Sequence, residues 1–188
     1  MGAMRKRLLE AAVEVVSEQG VTASTAVIAR RAGAAQGSVF HHFGTKDGML
    51  ESLFVDLKHE LREAVLEDLD ADLSVDDAMD AIWDRWMRWG TENAVRRRAL
   101  LSIYNSDILS LPTRDLVADN LGSGVTVFLE ASKRGPLAGQ SIHFIGPLVA
   151  GLANSTMDSM LAFPAQAEEY KRVGYAALRS MLGMRPRA

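Results

Sequence analysis

The sequence predicts an all-α protein of about nine helices. Apolar residues recur at helical spacing along nearly the whole chain, and no segment alternates apolar and polar residues as a half-buried strand does. Glycines and prolines separate the helical segments. With 188 residues, 48% of them hydrophobic, the chain is long enough for a small helical module followed by a larger one.

The first three helices are short and closely spaced. The first ends at Gly20 and carries the i, i+3, i+4, i+7 stripe of Leu9, Ala12, Val13 and Val16. Ser24 is a good N-cap for a second helix that continues to about Ala32, because its hydroxyl accepts from an otherwise unpaired backbone N–H. Gly33 ends that helix, and after a tight turn a third helix is predicted over residues 36–43.

The longer helices follow from residue 45 onward. Thr45 is predicted to cap a fourth helix of about 24 residues, and Ser74 a fifth. A sixth helix is predicted to end near residue 108, and a seventh to start at Leu111-Pro112. Residues 133–140 contain two glycines and a proline and are predicted to be a loop. Two final helices are expected, over residues 142–163 and 165–182.

Charge is distributed unevenly along the chain. Residues 1–48 hold six cations and four anions, a net +2, so the remainder carries −5 of the total −3. The basic run at residues 5–7 is compatible either with phosphate contact or with a solvated helix face. The run at residues 96–98 is interpreted as a solvated helix face, as short runs of this kind usually are.

Several classes of function are disfavoured. The chain has no cysteine, so disulfides, zinc–thiolate sites and cysteine nucleophiles are excluded. No metal or other cofactor is expected, because the adjacent His41 and His42 point about 100° apart on a helix. An all-α enzyme is a competing interpretation, but it lacks an evident catalytic group. No apolar run reaches the roughly 18 residues of a membrane span, and we expect a soluble, cytoplasmic protein.

The second and third helices have the pattern of a helix-turn-helix. Ala29 and Ala32 are small enough to let two helices cross closely, and Gly33 lies in the turn between them. The third helix bears small or hydrogen-bonding residues, which suits a helix that enters a major groove about 12 Å wide.

Residues 1–54 resemble the DNA-binding domain of the TetR family of bacterial regulators. The matching elements, at the family's spacing, are Ile28-Ala29, Ala32-Gly33, Gly37, Phe40, His42-Phe43 and Lys46-Asp47. The sequence departs from the family at Phe40, where a tyrosine is usual, and at Ala35, where a serine is usual. Phe40 can only pack, and Ala35 lacks the hydroxyl that caps a helix.

The resemblance implies a DNA-binding domain over residues 1–48. Gln36 and Ser38 are the candidates for base contacts, since glutamine pairs bidentately with adenine. His41, His42 and Lys46 would position the helix on phosphates. The complete predicted DNA-binding set is Ser24, Thr25, Gln36, Gly37, Ser38, His41, His42 and Lys46.

For residues 49–188 the resemblance implies a helical domain that forms a homodimer and binds a small molecule. The implied protein is a repressor that leaves a palindromic operator when a small, largely apolar effector binds. The alternative is a regulator without an effector, whose second domain serves only assembly or partner binding.

Candidate dimer residues are Leu148, Leu152, Val173, Ala177, Leu178 and Met181. Candidate ligand residues, each of which is alternatively plain core or surface, are Trp83, Trp86, Met87, Tyr104, Asn105, Phe128, Asn154, Met157 and Asp158.

Overall fold

The structure, a computed structural model, describes residues 2–70, 72–113, 122–133 and 135–185. Within these ranges it is helical and contains no strand, which confirms the predicted fold class. Two 3₁₀ segments, Gly20–Thr22 and Pro164–Gln166, interrupt the α-helices. The α-helices are α1 (Ala3–Gln19), α2 (Thr25–Arg31), α3 (Ser38–Phe43), α4 (Lys46–Leu66), α5 (Val75–Glu92), α6 (Ala94–Tyr104), α7 (Gly122–Ser132), α8 (Ile142–Ala162) and α9 (Ala167–Leu182).

Three helices begin at the capping residues that the sequence predicts. The Ser24 hydroxyl accepts from the Ala26 N–H at 3.2 Å, and the Thr45 hydroxyl accepts from the Gly48 N–H at 2.9 Å. Ser74 accepts from the Asp77 N–H at 3.2 Å at the start of α5. Each hydroxyl thereby satisfies one of the N–H groups that a helix leaves unpaired at its first turn.

Two predicted boundaries are wrong. Helix α3 begins at Ser38 rather than residue 36, because its N-cap Gly37 supplies no capping side chain and Ala35 before it has no hydroxyl. Helix α6 ends at Tyr104 rather than residue 108. There the Ser106 hydroxyl donates to the Ile103 carbonyl at 2.6 Å, which favours a turn over a further helical residue.

The predicted seventh helix falls partly outside the described residues. Residues 111–113 and Gly122–Ser132 are helical, and residues 114–121 are not among those that the structure describes.

The chain divides into two compact units, of which the first comprises Met1–Glu60 and Asn93–Asn120. Here α1 packs against α2 and α6, and its Leu8, Ala12 and Val15 are fully buried. The interpretation of residues 96–98 as a solvated face is wrong for two of the three. Arg96 pairs with carboxylates of α1 and α4, and Arg97 is 3% exposed. The functional boundary at residue 48 stays a prediction.

Helix α1 holds the turn between α2 and α3. The Arg7 guanidinium donates to the Ala32 carbonyl at 2.5 Å. The Arg5 guanidinium lies 5.1 Å from the centre of the Phe43 ring, a cation–π contact with the end of α3. Both arginines of the basic run at residues 5–7 therefore make contacts within the chain, and phosphate contact by this run stays a prediction.

The second unit comprises Leu61–Glu92 and Leu121–Ala188. Its apolar cluster joins α5, α7, α8 and α9, and it includes Met79, Trp83 and Met157 at no more than 3% exposure. Polar contacts fasten α9 to α5 at the edge of this cluster. Arg179, itself 5% exposed, donates to Asp76 at 2.5 Å, and a hydrogen bond from Lys171 lowers the pKa of Asp84.

Across the described residues, no helix is both long enough and apolar enough to cross a membrane.

The turn residue Gly33 and the exposed Gly37 give a matched pair for testing the fold. Gly33 has φ +62°, and an added Cβ would lie 2.8 Å from Nη2 of Arg7, so Gly33→Ala strains the backbone and disturbs the Arg7 contact. We expect Gly33→Ala to lower the free energy of unfolding by about 1–3 kcal/mol. Gly37 has φ −70° and no heavy atom within 4 Å of an added Cβ. Gly37→Ala should therefore change the free energy of unfolding by less than about 1 kcal/mol.

The measurement is urea unfolding followed by circular dichroism, with both variants compared with the unsubstituted chain. Equal losses of stability in the two variants would contradict the assigned role of the turn.

Candidate nucleic-acid interface

The exposed face of α3 is the centre of the candidate interface. Val39 is fully buried and anchors the helix to the first unit. Gln36, Gly37, Phe40 and His41 are all exposed, the first two in the turn before α3 and the last two on α3 itself. The structure therefore exposes an amide, an apolar ring and an imidazole within six consecutive residues.

Gly37 leaves that face open. A Cβ at this position would meet nothing within 4 Å. Because its backbone angles are ones that any residue adopts, the fold itself does not require glycine here. The absence of a side chain instead permits close approach of a second molecule to the backbone of α3.

The other predicted DNA-binding residues surround α3 at the helix ends. Ser24 is exposed where it caps α2, and Thr25 is half-buried in the first turn of that helix. Ser38 and His42 are half-buried on α3. Lys46 is half-buried as the first residue of α4, where free backbone N–H groups already favour an anion.

The cations near α3 differ in how far they are engaged within the chain. Arg31 donates to Glu14 at 2.6 Å and lies 3.5 Å from Glu18, and the hydrogen bond to Glu14 raises the pKa of Arg31. By contrast, Arg30 is exposed, and neither it nor the half-buried Lys46 makes an ion pair within the described part of the chain. Arg30 is therefore available to an anion.

One exposed residue at this interface, Arg30, was not among the predicted DNA-binding residues. Arg30 adjoins the buried Ile28-Ala29 pair on α2, and helical period alone would have placed it on the outer side. Phe40, which has no polar group to offer a phosphate, is 50% exposed. Helical period does not distinguish an exposed phenylalanine from a core one.

The candidate ligand residues are distributed over both units. Trp83, Met87 and Met157 belong to the buried cluster of the second unit, with Trp86 and Phe128 packed against it. Of the polar candidates in that unit, Asn154 is half-buried and Asp158 is exposed. Tyr104 and Asn105 belong to the first unit, where Tyr104 is 39% exposed and stacks on Phe54. For the buried tryptophan and methionines, the structure favours the interpretation as core.

A surface pocket of about 220 Å³ lies within the first unit, away from all these candidates. Its floor is formed by apolar residues of α1 and α4, including Leu9 and Leu57. Arg96 closes one side by bridging Glu10 at 2.7 Å and Glu60 at 3.1 Å. Both carboxylates are thus ion-paired within the chain, and within the described ranges no three histidine or acidic side chains are grouped as metal ligands.

The candidate dimer residues on α8 and α9 are partly exposed. Leu148 is 40% exposed, Val173 is 49% exposed and Ala177 is also exposed. Leu152 and Met181 are half-buried. Leu178 is fully buried in the chain's own core, and it is not available to a partner. Two further residues of α8 are exposed and were not predicted: Phe144, at 53%, lies on the same side as Leu148, and Leu161, at 42%, lies near the end of the helix.

Comparison with known proteins supports the helix-turn-helix assignment. Residues 8–53 match the family model described as bacterial regulatory proteins of the tetR family. Over 68 residues the chain is 43% identical to the HTH-type transcriptional regulator BetI of Escherichia coli strain K12 / DH10B. That match covers 36% of this chain and only about a third, 35%, of the relative's length.

Similarity of fold extends over nearly the whole chain. A tetR-family transcription regulator from Shewanella sp. PV-4 has a TM-score of 0.84 at 22% identity, covering 99% of this chain and 100% of the other. A second, from Marinobacter aquaeolei VT8, has a TM-score of 0.75 at 15% identity, covering 94% and 93%. Residues 8–53 are thus similar to the helix-turn-helix region of tetR-family regulators, and nearly the whole chain shares the fold of these two solved structures.

Proposed function

We propose that the protein is a sequence-specific DNA-binding transcriptional regulator. The observation that carries the proposal is the face of α3, where exposed Gln36 and His41 flank the open backbone at Gly37. A short helix with hydrogen-bonding side chains and no obstruction at its centre suits the floor of a major groove. The match of residues 8–53 to a family of bacterial regulators supports the same function.

The proposed contacts divide by chemistry. Gln36 and Ser38 read base edges, since an amide pairs bidentately with adenine and a hydroxyl donates or accepts. The remaining polar residues hold the backbone of the DNA, as donors to phosphate oxygens do in most such complexes. This second set is Ser24, Thr25, His41, His42, Lys46 and the newly identified Arg30.

We further propose that the protein acts as a homodimer through α8 and α9. Phe144 and Leu148 are exposed four residues apart on α8, Leu161 is exposed near the end of the same helix, and Val173 and Ala177 are exposed four residues apart on α9. Exposed apolar residues that recur on two long helices are typical of an interface between subunits. Two copies of α3 would then read two half-sites of a palindrome.

For regulation, we propose release from DNA by a small, largely apolar effector that binds the helical region beyond residue 48. The support is indirect: this region is rich in tryptophan, methionine and tyrosine, and α4 runs from the first unit into the second. An effector can weaken DNA binding only through its differential affinity for the two conformations.

The close packing of Trp83, Met87 and Met157 favours the alternative, a regulator whose second unit serves assembly alone.

The first test separates base reading from phosphate contact. After an operator has been selected from random DNA, Gln36→Ala should lose about 1–3 kcal/mol of discrimination at one base pair of each half-site. Lys46→Ala should weaken binding to all DNA sequences alike. It should also reduce the slope of the logarithm of the binding constant against the logarithm of the salt concentration by about one per subunit. Fluorescence anisotropy at several salt concentrations measures both effects.

Glu168→Ala, an exposed substitution on α9, serves as the control for this test. The proposal fails if random DNA yields no enriched site, or if neither variant differs from the control.

The second test addresses the dimer. We expect Val173→Asp, which places an unpaired charge on the exposed face of α9, to shift the protein from dimer to monomer in sedimentation velocity. Operator binding should weaken in parallel, because two linked half-sites bind far more tightly than one. Leu73→Asp is the matched control, since Leu73 is also exposed, at 37%, but lies outside α8 and α9. A Val173→Asp protein that remains dimeric would exclude this face as the interface.

The third test addresses the effector. Small apolar compounds are first screened for those that raise the thermal midpoint, since a ligand that binds only the folded protein stabilises it. At least one such compound should weaken operator binding by about 5- to 150-fold, the usual range of coupling between two sites. If every stabilising compound leaves operator affinity unchanged, the effector proposal is rejected in favour of the assembly alternative.

A further inference from the structure

We propose that Phe40 reads the C5-methyl group of a thymine, so that the operator half-site contains a required thymine beneath the centre of α3. The inference rests on the proposed DNA-binding function and goes further, because it assigns base recognition to a residue that has no hydrogen-bonding group. It also predicts which chemical feature of the base is recognised.

The first observation is that Phe40 does not serve the packing of its own chain. Its side chain is 50% exposed, whereas its neighbour Val39 is fully buried. Phe40 makes no ring contact with another described residue. The chain's other aromatic residues near α3 are engaged: Phe43 lies beneath the Arg5 guanidinium, and Phe54 stacks on Tyr104 with ring centres 6.4 Å apart.

The second observation is the position of Phe40 within the reading face. It follows Gly37, the N-cap residue of α3, by three positions, so the two lie on one side of the first turn of the helix, and Gln36 is exposed in the turn just before them. The space above Gly37 is open, which leaves the Phe40 ring free to approach the floor of a groove. A ring placed there must lose its water when DNA binds, and an apolar partner makes that loss favourable.

The chemistry of the major groove leaves only one group on the DNA bases as a suitable contact for the Phe40 ring. Of the groups that bases present there, the thymine methyl is the apolar one, and aromatic side chains are among its usual contacts. The phosphate backbone is a poor partner, because phenylalanine has no donor for a phosphate oxygen. A neighbouring Gln36 that pairs with adenine is compatible with an A·T-rich half-site.

The test removes the methyl group from the DNA and the ring from the protein, separately and together. In the selected operator each thymine is replaced in turn by deoxyuridine, which differs only in lacking the methyl. For the unsubstituted protein, we expect one position per half-site at which this replacement weakens binding about fourfold, the equivalent of about 0.8 kcal/mol for one buried methyl group.

With Phe40→Ala, the affinity for the thymine operator should fall, and the penalty at that same position should disappear. Leu111→Ala is the control, since Leu111 is 75% exposed in the first unit but outside α3, and it should keep the full deoxyuridine penalty. Thermal unfolding of Phe40→Ala should match that of the unsubstituted chain, because an exposed ring contributes little to the core.

The possible outcomes separate this inference from the function on which it rests. If no deoxyuridine position weakens binding, or if the penalty persists in Phe40→Ala, the methyl contact is refuted while DNA binding stands. If Phe40→Ala weakens binding equally to the thymine operator and to every deoxyuridine-substituted operator, the ring contacts the sugar-phosphate backbone instead and the inference is again refuted. Failure to select any operator would refute the proposed function itself.

Discussion

The turn at Gly33 is the constraint on which the candidate interface depends. Its φ of +62° is available at little cost only to glycine, and it sets the direction in which α3 leaves α2. The Arg7 side chain of α1 then donates to the Ala32 carbonyl beside the turn, so a third helix fixes the conformation. Because α3 has only six residues and no side-chain N-cap, it depends on these neighbouring contacts for its own stability.

The residues of α2, α3 and the turn between them divide into a buried set, which packs against the first unit, and an exposed set, which faces outward. Val39, Ala29 and Ile28 are buried and carry the packing, while Gln36, Gly37, Phe40 and His41 are exposed. The outward set makes few contacts within the chain, so its side chains can change with little loss of stability. Such a division is typical of a recognition element on a rigid scaffold, and it is why substitutions at Gly33 and Gly37 are expected to differ.

Much of this fold follows from local sequence signals. Helical period and the hydroxyl caps at Ser24, Thr45 and Ser74 predict where α2, α4 and α5 begin. The signals fail where the outcome depends on tertiary contacts. Arg96 and Arg97 look like a solvated run, but carboxylates on distant helices draw Arg96 inward. The exposed ring of Phe40 is likewise undetectable from spacing, since period places a residue on a face without showing whether another element covers it.

The engagement of cations within the first unit bears on how such a protein would recognise DNA. Arg5, Arg7 and Arg31 make contacts inside the chain, and the net charge of residues 1–48 is only +2. Sequence-independent binding scales with the number of phosphates neutralised, so a single DNA-binding unit with few free cations would bind DNA weakly. The affinity for DNA would then come from direct contacts with base edges and from two such units that bind one site together. On this argument the weak charge favours specificity, because it lowers the affinity for the many competing non-specific sites more than it lowers the affinity for the operator.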